Sequence, residues 1–300
     1  MSGPTAHLRR FAVRGVFWRQ YLDWAIINVP FYFQPPLLFF CTIFFFFFAA
    51  ATRRAVVANL AVVRPGSSGL VNHFRAFRTL HEFAWAITDA ATFKLKQGTV
   101  ACEIDGAQFL DQLATARGAI VLTAHIGNYD LGAGLFAQKF GREIRMVRAP
   151  EADEKTEAHL KSSLQEIGRG AVRVDYATQG ALLSFDLLSA LRLGEIVSIQ
   201  GDRIAGAVAE TEARMFGAPV RIPTGPFILA LAAQVPLYPL FITRRGYRRY
   251  RIIVREPIVT LRSGRERERD IEAAVARWCS VLQEVITAHW EQWFAFTRGF

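Results

Sequence analysis

Between residues 118 and 200 short apolar runs rich in β-branched residues alternate with longer stretches whose apolar positions recur every three or four residues. The first pattern fits buried strands and the second amphipathic helices. In order they predict a strand at 119–123, a helix at 131–140 stopping at Gly141, a strand at 144–147 and a helix at 155–167. A strand at 171–175, a helix at 180–193 and a strand at 196–199 follow. That rhythm predicts an α/β fold: a mixed, largely parallel sheet flanked by helices, with right-handed crossovers. Further on, 203–223 reads as one long loop, and Thr224-Gly225-Pro226 opens a helix. Residues 235–243 and 250–254 read as strands joined by an arginine-rich turn. A capping box at Ser263 and Glu266 introduces a last helix at 267–288.

The N-terminal pattern is different. Residues 1–23 interleave Arg9, Arg10, Arg14 and Arg19 with Phe11, Val13, Phe17 and Trp18, as in a helix lying at a lipid interface. Residues 29–51 are almost wholly apolar, interrupted by Gln34-Pro35-Pro36 and closed by Arg53-Arg54. The uninterrupted stretch 37–51 is near the lower limit for a bilayer span, so a single crossing and a monotopic hairpin both fit. The chain therefore divides into a basic and apolar membrane-anchoring segment at 1–54 and an α/β domain at 55–300.

Candidate chemistry concentrates where the strand at 119–123 turns into the next helix. His125 and Asp130 sit there, with Gly127 and Asn128 between them. On one continuous helix, positions five apart diverge by roughly 140°. The pair meets only if the chain bends, and Gly127-Asn128 permit the bend. The plainer reading is a histidine closing a strand and an aspartate favoured by the dipole of a helix's first turn. Position adds weight to the first reading. In parallel sheets ligands gather beyond the carboxyl ends of the strands, and Arg148 and Asp202 are predicted to share that rim with His125. Thr224 heads a helix whose free N–H groups suit a phosphate, or is simply a structural cap.

Composition narrows the function classes. The chain is 52% hydrophobic and carries a net charge of +10, with arginine greatly outnumbering lysine. A positive mean hydropathy of +0.19 and a pI near 10.0 point to membrane contact and anionic partners. A nucleic-acid binder would share the charge, but no recognition motif accompanies it. Cys41, Cys102 and Cys279 are too scattered for a disulfide framework or a zinc pattern. No Gly-x-Gly-x-x-Gly follows a strand, no Walker-type lysine loop occurs, and the Gly-x-Ser-x-Gly elbow is absent. What remains is a base without a nucleophile of its own, which suits direct group transfer to an acceptor hydroxyl or amine.

Several blocks then occur in a telling order. His125-x4-Asp130 follows an apolar strand, and Arg148 lies in Met-Val-Arg-Ala-Pro. Gly201-Asp202-Arg203, Phe216-Gly217, Pro223-Thr224-Gly225-Pro226, Pro236-x-x-Pro239 and a terminal Glu-Gln-Trp come after them. Together they resemble the bacterial lipid A biosynthesis acyltransferase family, the lauroyl/myristoyl branch of the lysophospholipid acyltransferase superfamily. The resemblance implies transfer of a fatty acyl group from an acyl carrier protein or CoA thioester to a lipid or glycolipid acceptor at the inner membrane, on its cytoplasmic side. It implies no cofactor and no metal, the thioester being a co-substrate. His125 would be the general base and Asp130 the group that holds its tautomer. Gly127 and Asn128 N–H groups, or Arg148, would meet the oxyanion. Arg148 and Arg203 would hold anionic substrate groups, with Asp202 and Thr224 also lining the site. The acceptor stays open among lipid A, ornithine lipid, other glycolipids and pigments. A catalytically silent lipid-binding protein of the same fold is the alternative.

Overall fold

The computed structural model describes residues 16–96, 99–150, 154–177, 180–204, 208–260 and 267–300. Most of the basic N-terminal pattern and the capping box at Ser263 and Glu266 lie outside them. Among the described residues four helices come first: α1 (Val16–Asn28), α2 (Gln34–Phe48, after a 3-10 turn at Phe31–Phe33), α3 (Ala50–Val63) and the long α4 (Gly69–Lys96). The boundary at 54/55 falls within α3. The window Phe31–Phe48 is long and apolar enough to cross a membrane, and only 6% of it is buried. Phe40, Phe47 and Phe48 point outward from it. α1 is tied to the body by Asp23, which pairs with Lys94 of α4 at 2.7 Å and lies 3.5 Å from His159.

The α/β part then runs β1 (Ala101–Asp105), α5 (Ala107–Thr115), β2 (Ala119–Thr123), α6 (Tyr129–Phe140), β3 (Ile144–Arg148) and α7 (Glu154–Ile167). It continues with β4 (Val172–Tyr176), α8 (Gly180–Arg192), β5 (Ile196–Gln200), β6 (Glu210–Met215), β7 (Ala218–Pro223) and α9 (Gly225–Ala233). It closes with β8 (Leu237–Gly246), β9 (Arg249–Val254) and α10 (Arg267–Ala288). The main sheet has the order β1-β9-β8-β2-β5-β3-β4. β8, β2, β5, β3 and β4 are mutually parallel, while β9 turns back antiparallel to β8 and carries β1 with it. The sheet is thus mixed and largely parallel, as the sequence pattern predicts.

β2 is the middle strand, and every one of its residues is buried. Its alternate side chains feed two cores. Ile120 and Leu122 pack with α8, α9 and α10 around Trp278 and Phe227, while Ala119 and Val121 pack with α5, α6 and α7 around Leu131 and Phe136. A strand covered on both faces reads as a continuous apolar run, which is why 119–123 was so legible. The segment 203–223 differs from the expected loop. Residues 210–223 fold into the antiparallel ribbon β6–β7, where Glu210–Met215 alternates exposed and partly covered positions against α10. Alternation over so few polar-rich residues gives little hydrophobic signal.

Candidate active site

The chain leaves β2 at Thr123, and His125 stands at the carboxyl end of this central strand. Its partner is Asp202, which follows β5, the neighbour of β2. His125 Nδ1–H donates to Asp202 Oδ1 at 2.8 Å, and the His125 backbone N–H donates to Oδ2 of the same carboxylate at 3.2 Å. The side chain of Asp202 is 1% exposed and that of His125 13%. Burial by itself would raise the Asp202 carboxyl. The His125 and Arg203 charges, with the hydrogen bonds from His125, overcome this and hold it at about 2. Nδ1 being engaged, Nε2 is the ring nitrogen left for a reacting group.

The C-terminal segment clasps this turn. Phe294 N–H donates to the His125 carbonyl at 2.7 Å, Gly127 N–H donates to the Gln292 carbonyl at 2.9 Å, and Ile126 bridges Trp293. Trp293 Nε1–H reaches Asp202 Oδ2 at 3.3 Å, inside the core. Gln292 is fixed in turn by Arg244, accepting from its backbone N–H at 2.6 Å and donating to its carbonyl at 2.8 Å. Trp293→Phe keeps the packing but removes one donor from the carboxylate, leaving more charge to stabilise the imidazolium. The acidic limb of the pH–activity profile should move to higher pH by at most about 0.7 unit, given about 1 kcal/mol for a neutral hydrogen bond and about 1.36 kcal/mol per pH unit.

The turn itself explains the glycine. Gly127 has φ +61°, and a Cβ there would fall 1.8 Å from the Ile242 carbonyl oxygen. Gly127→Ala should therefore lose about 3 kcal/mol of stability, measured by urea unfolding, since backbone cannot yield as a flexible side chain does. Asn128 caps α6: its Oδ1 accepts from Leu131 N–H at 3.3 Å, and its Nδ2 donates to the Ala86 carbonyl at 2.9 Å. The Asn128 backbone N–H donates to the Ile242 carbonyl at 2.9 Å. Both N–H groups expected to meet an oxyanion are consequently committed to internal carbonyls. Gly127 and Asn128 shape the turn instead.

Asp130 does not reach the imidazole; it lies in the first turn of α6 and pairs with Arg148 Nη1 at 2.6 Å. Arg148, at the end of β3, also lies over the Tyr129 ring at 5.8 Å, and Tyr129 meets the His125 ring edge-on at 5.6 Å. Burial, then the Asp130 charge, push the Tyr129 phenol up against the opposing pull of Arg148 and Arg203. Arg203 is half-buried beside Asp202 and makes no hydrogen bond or ion pair among the described residues. Thr224 is buried, donates its N–H to the Ala209 carbonyl at 2.9 Å, and makes no side-chain cap bond to α9. Because α9 leads into β8, which runs parallel to β2, Thr224 stands at the same rim as His125. A narrow gap between α6 and the sheet opens below this rim. One part, about 30 Å³, is lined by Val121, Tyr129, Gly132, Phe136 and Leu240. The other, about 10 Å³, is lined by Thr123, Tyr129, Arg148, Ser198 and Gln200.

The sequence reading placed Asp202 among substrate-binding groups and missed Trp293 and Gln292 as parts of the site. The Glu-Gln-Trp block carried a signal, but only the fold shows which backbone it covers. No curated protein matches the chain. The family model for bacterial lipid A biosynthesis acyltransferases matches residues 6–300. A match over nearly the whole chain shows that this protein belongs to the bacterial lipid A biosynthesis acyltransferase family.

Proposed function

We propose that the protein transfers a fatty acyl group from the thioester of an acyl carrier protein or CoA to a hydroxyl or amine of a membrane lipid or glycolipid, using His125 as general base. The observation that carries this reading is the His125 Nδ1–Asp202 Oδ1 hydrogen bond of 2.8 Å at the end of the central strand, with the other ring nitrogen left for the acceptor. His125 Nε2 takes the acceptor's proton as its oxygen or nitrogen attacks the thioester carbonyl. Asp202 holds the tautomer and stabilises the imidazolium. The new C–O or C–N bond forms, the C–S bond breaks, and the proton on Nε2 passes to the leaving thiolate. No enzyme-bound acyl intermediate is required.

Arg148 is the proposed donor to the oxyanion, with Asp130 positioning its guanidinium. Arg203 and the rim near Thr224 are the proposed holders of anionic groups on substrate. The gap beside α6 is too small in this state for an acyl chain, since about 10–15 Å³ holds a single water; chain binding would have to widen it by moving α6 side chains. The N-terminal apolar segment is the proposed anchor in the inner membrane, with the rim facing the cytoplasm.

The test is to incubate the purified full chain with an acyl thioester and candidate lipid acceptors and to follow free thiol and acylated lipid together. Acceptor-dependent thiol release with matching acylated product supports the reading. Lipid binding without thiol release sinks it and favours a silent lipid-binding protein. Comparison of lipids by mass spectrometry, from cells with and without the protein, identifies the acceptor.

A further inference from the structure

The tip of the β8–β9 hairpin has no role in the chemistry above, yet it carries Arg245, Arg248 and Arg249 within five residues. β8 outruns β2 on the side of the rim: Gly127 bridges Ile242, and β8, still paired with β9, continues to Gly246, roughly 13 Å further at about 3.3 Å per residue. The tip Arg245-Gly246-Tyr247-Arg248-Arg249 thus projects past the rim that carries His125. Arg245 and Arg249 are exposed, and Arg248 stacks over Tyr247 at 5.3 Å. Arg244 is not part of this tip; it turns inward, to Asp89 at 3.1 Å and Glu82 at 3.5 Å.

The neighbour of the tip identifies its partner. Tyr247 packs on Phe31 with ring centroids 4.7 Å apart. Phe31 opens the apolar window Phe31–Phe48, and beside it Tyr32 and Phe33 are 84% and 65% exposed. Aromatic rings at the end of an apolar segment mark the level of lipid headgroups, and arginines at that level meet anionic phosphates. We propose that the β8–β9 tip is a docking surface for an anionic lipid bilayer, with Arg245, Arg248 and Arg249 on headgroup phosphates and Tyr247 at the interface. This contact would turn the His125 rim toward the membrane surface. A polar acceptor headgroup could then reach the base without leaving the bilayer. An acidic carrier protein would also fit the charge, but it gives no reason for Tyr247 to lie against the apolar segment.

The inference rests on the membrane reading of the N-terminal segment. Its test reads lipid partition rather than acyl transfer, so the two can fail separately. Full-chain protein is partitioned onto vesicles of phosphatidylcholine alone and of phosphatidylcholine mixed with phosphatidylglycerol. Arg245→Glu/Arg249→Glu should lower the anionic-to-neutral partition ratio by about twentyfold or more, at about fivefold per arginine. The milder Arg245→Gln/Arg249→Gln should lower it less, and added salt should shrink both differences. Arg117→Glu/Arg169→Glu makes the same change in net charge at exposed positions preceding β2 and β4, at the amino ends of the parallel strands and so opposite the His125 rim. That control should leave the ratio nearly unchanged. An equal fall in the control, or no fall in the tip variants, overturns the proposal. So does a tip variant with unchanged partition that loses transfer only from carrier-bound donor, which would assign the surface to the carrier.

Discussion

His125→Gln is expected to lower kcat/KM for acyl transfer by about 10³–10⁴-fold while the protein stays folded and membrane-bound. General-base catalysis by a positioned side chain contributes up to about that factor. Glutamine can preserve a hydrogen bond toward Asp202 but cannot take a proton from the acceptor at neutral pH. The measurement is initial-rate thiol release with a saturating lipid acceptor, beside a vesicle-binding control. The loss should fall mainly on kcat, because the proton moves only in the transition state. Activity within tenfold of the parent would remove His125 from the chemistry.

The second large effect separates the two aspartates. Asp202→Asn should cost about 10³–10⁴-fold in kcat, because an amide in place of the carboxylate can favour the wrong tautomer and cannot stabilise the imidazolium. Asp130→Asn should cost about 10²-fold, the size of losing one well-placed oxyanion donor, since Asp130 acts through Arg148. The order follows from the contacts: Asp202 is 2.8 Å from the imidazole, and Asp130 is 2.6 Å from a guanidinium. The reverse order would mean that the helix moves when substrate binds and brings Asp130 to the ring. The pH dependence gives an independent check. Asp202 is held at about 2, below its ordinary 3.8. Its contribution to folding is therefore complete above pH 4 and lost as pH falls toward 2. In Asp202→Asn that acid-sensitive part of the stability curve should flatten.

The network behind the site shows why its geometry is held from several elements. Asp89 of α4 accepts from Tyr250 Oη–H at 2.6 Å and from Arg244 Nε at 3.1 Å. Burial raises the Asp89 carboxyl, against the pull of these two donors. Tyr250 lies 3.3 Å from Asn128 Nδ2, and Arg244 holds Gln292. The turn at Gly127-Asn128 is thus pinned by α4, β8, β9 and the C-terminal segment together. A catalytic geometry so widely supported belongs to the rigid part of the fold.

The sequence by itself determined most of the elements and the candidate residues, but not β1, α5 or the β6–β7 ribbon. β2 was read at its observed bounds because a strand buried on both faces must be apolar throughout. α10 was read at its observed bounds because its one buried face repeats at the helical period. The apolar stretch before the α/β domain was legible as well, although Gln34-Pro35-Pro36, read as an interruption, instead opens α2, where prolines fit the first helical turn. His125 at a strand end, with Arg148 and Asp202 on the same rim, also followed from strand order alone. Only the tertiary structure decided the partners. Asp130 is five residues from His125 and Asp202 is seventy-seven, yet the parallel pairing of β2 with β5 brings the distant carboxylate to the ring, while α6 turns the near one toward β3. Chain proximity limits where a side chain can be, but the sheet register and helix direction set what it faces. For the same reason the roles of Gln292 and Trp293 were hidden: a C-terminal block cannot announce, from its own residues, which turn it will cover.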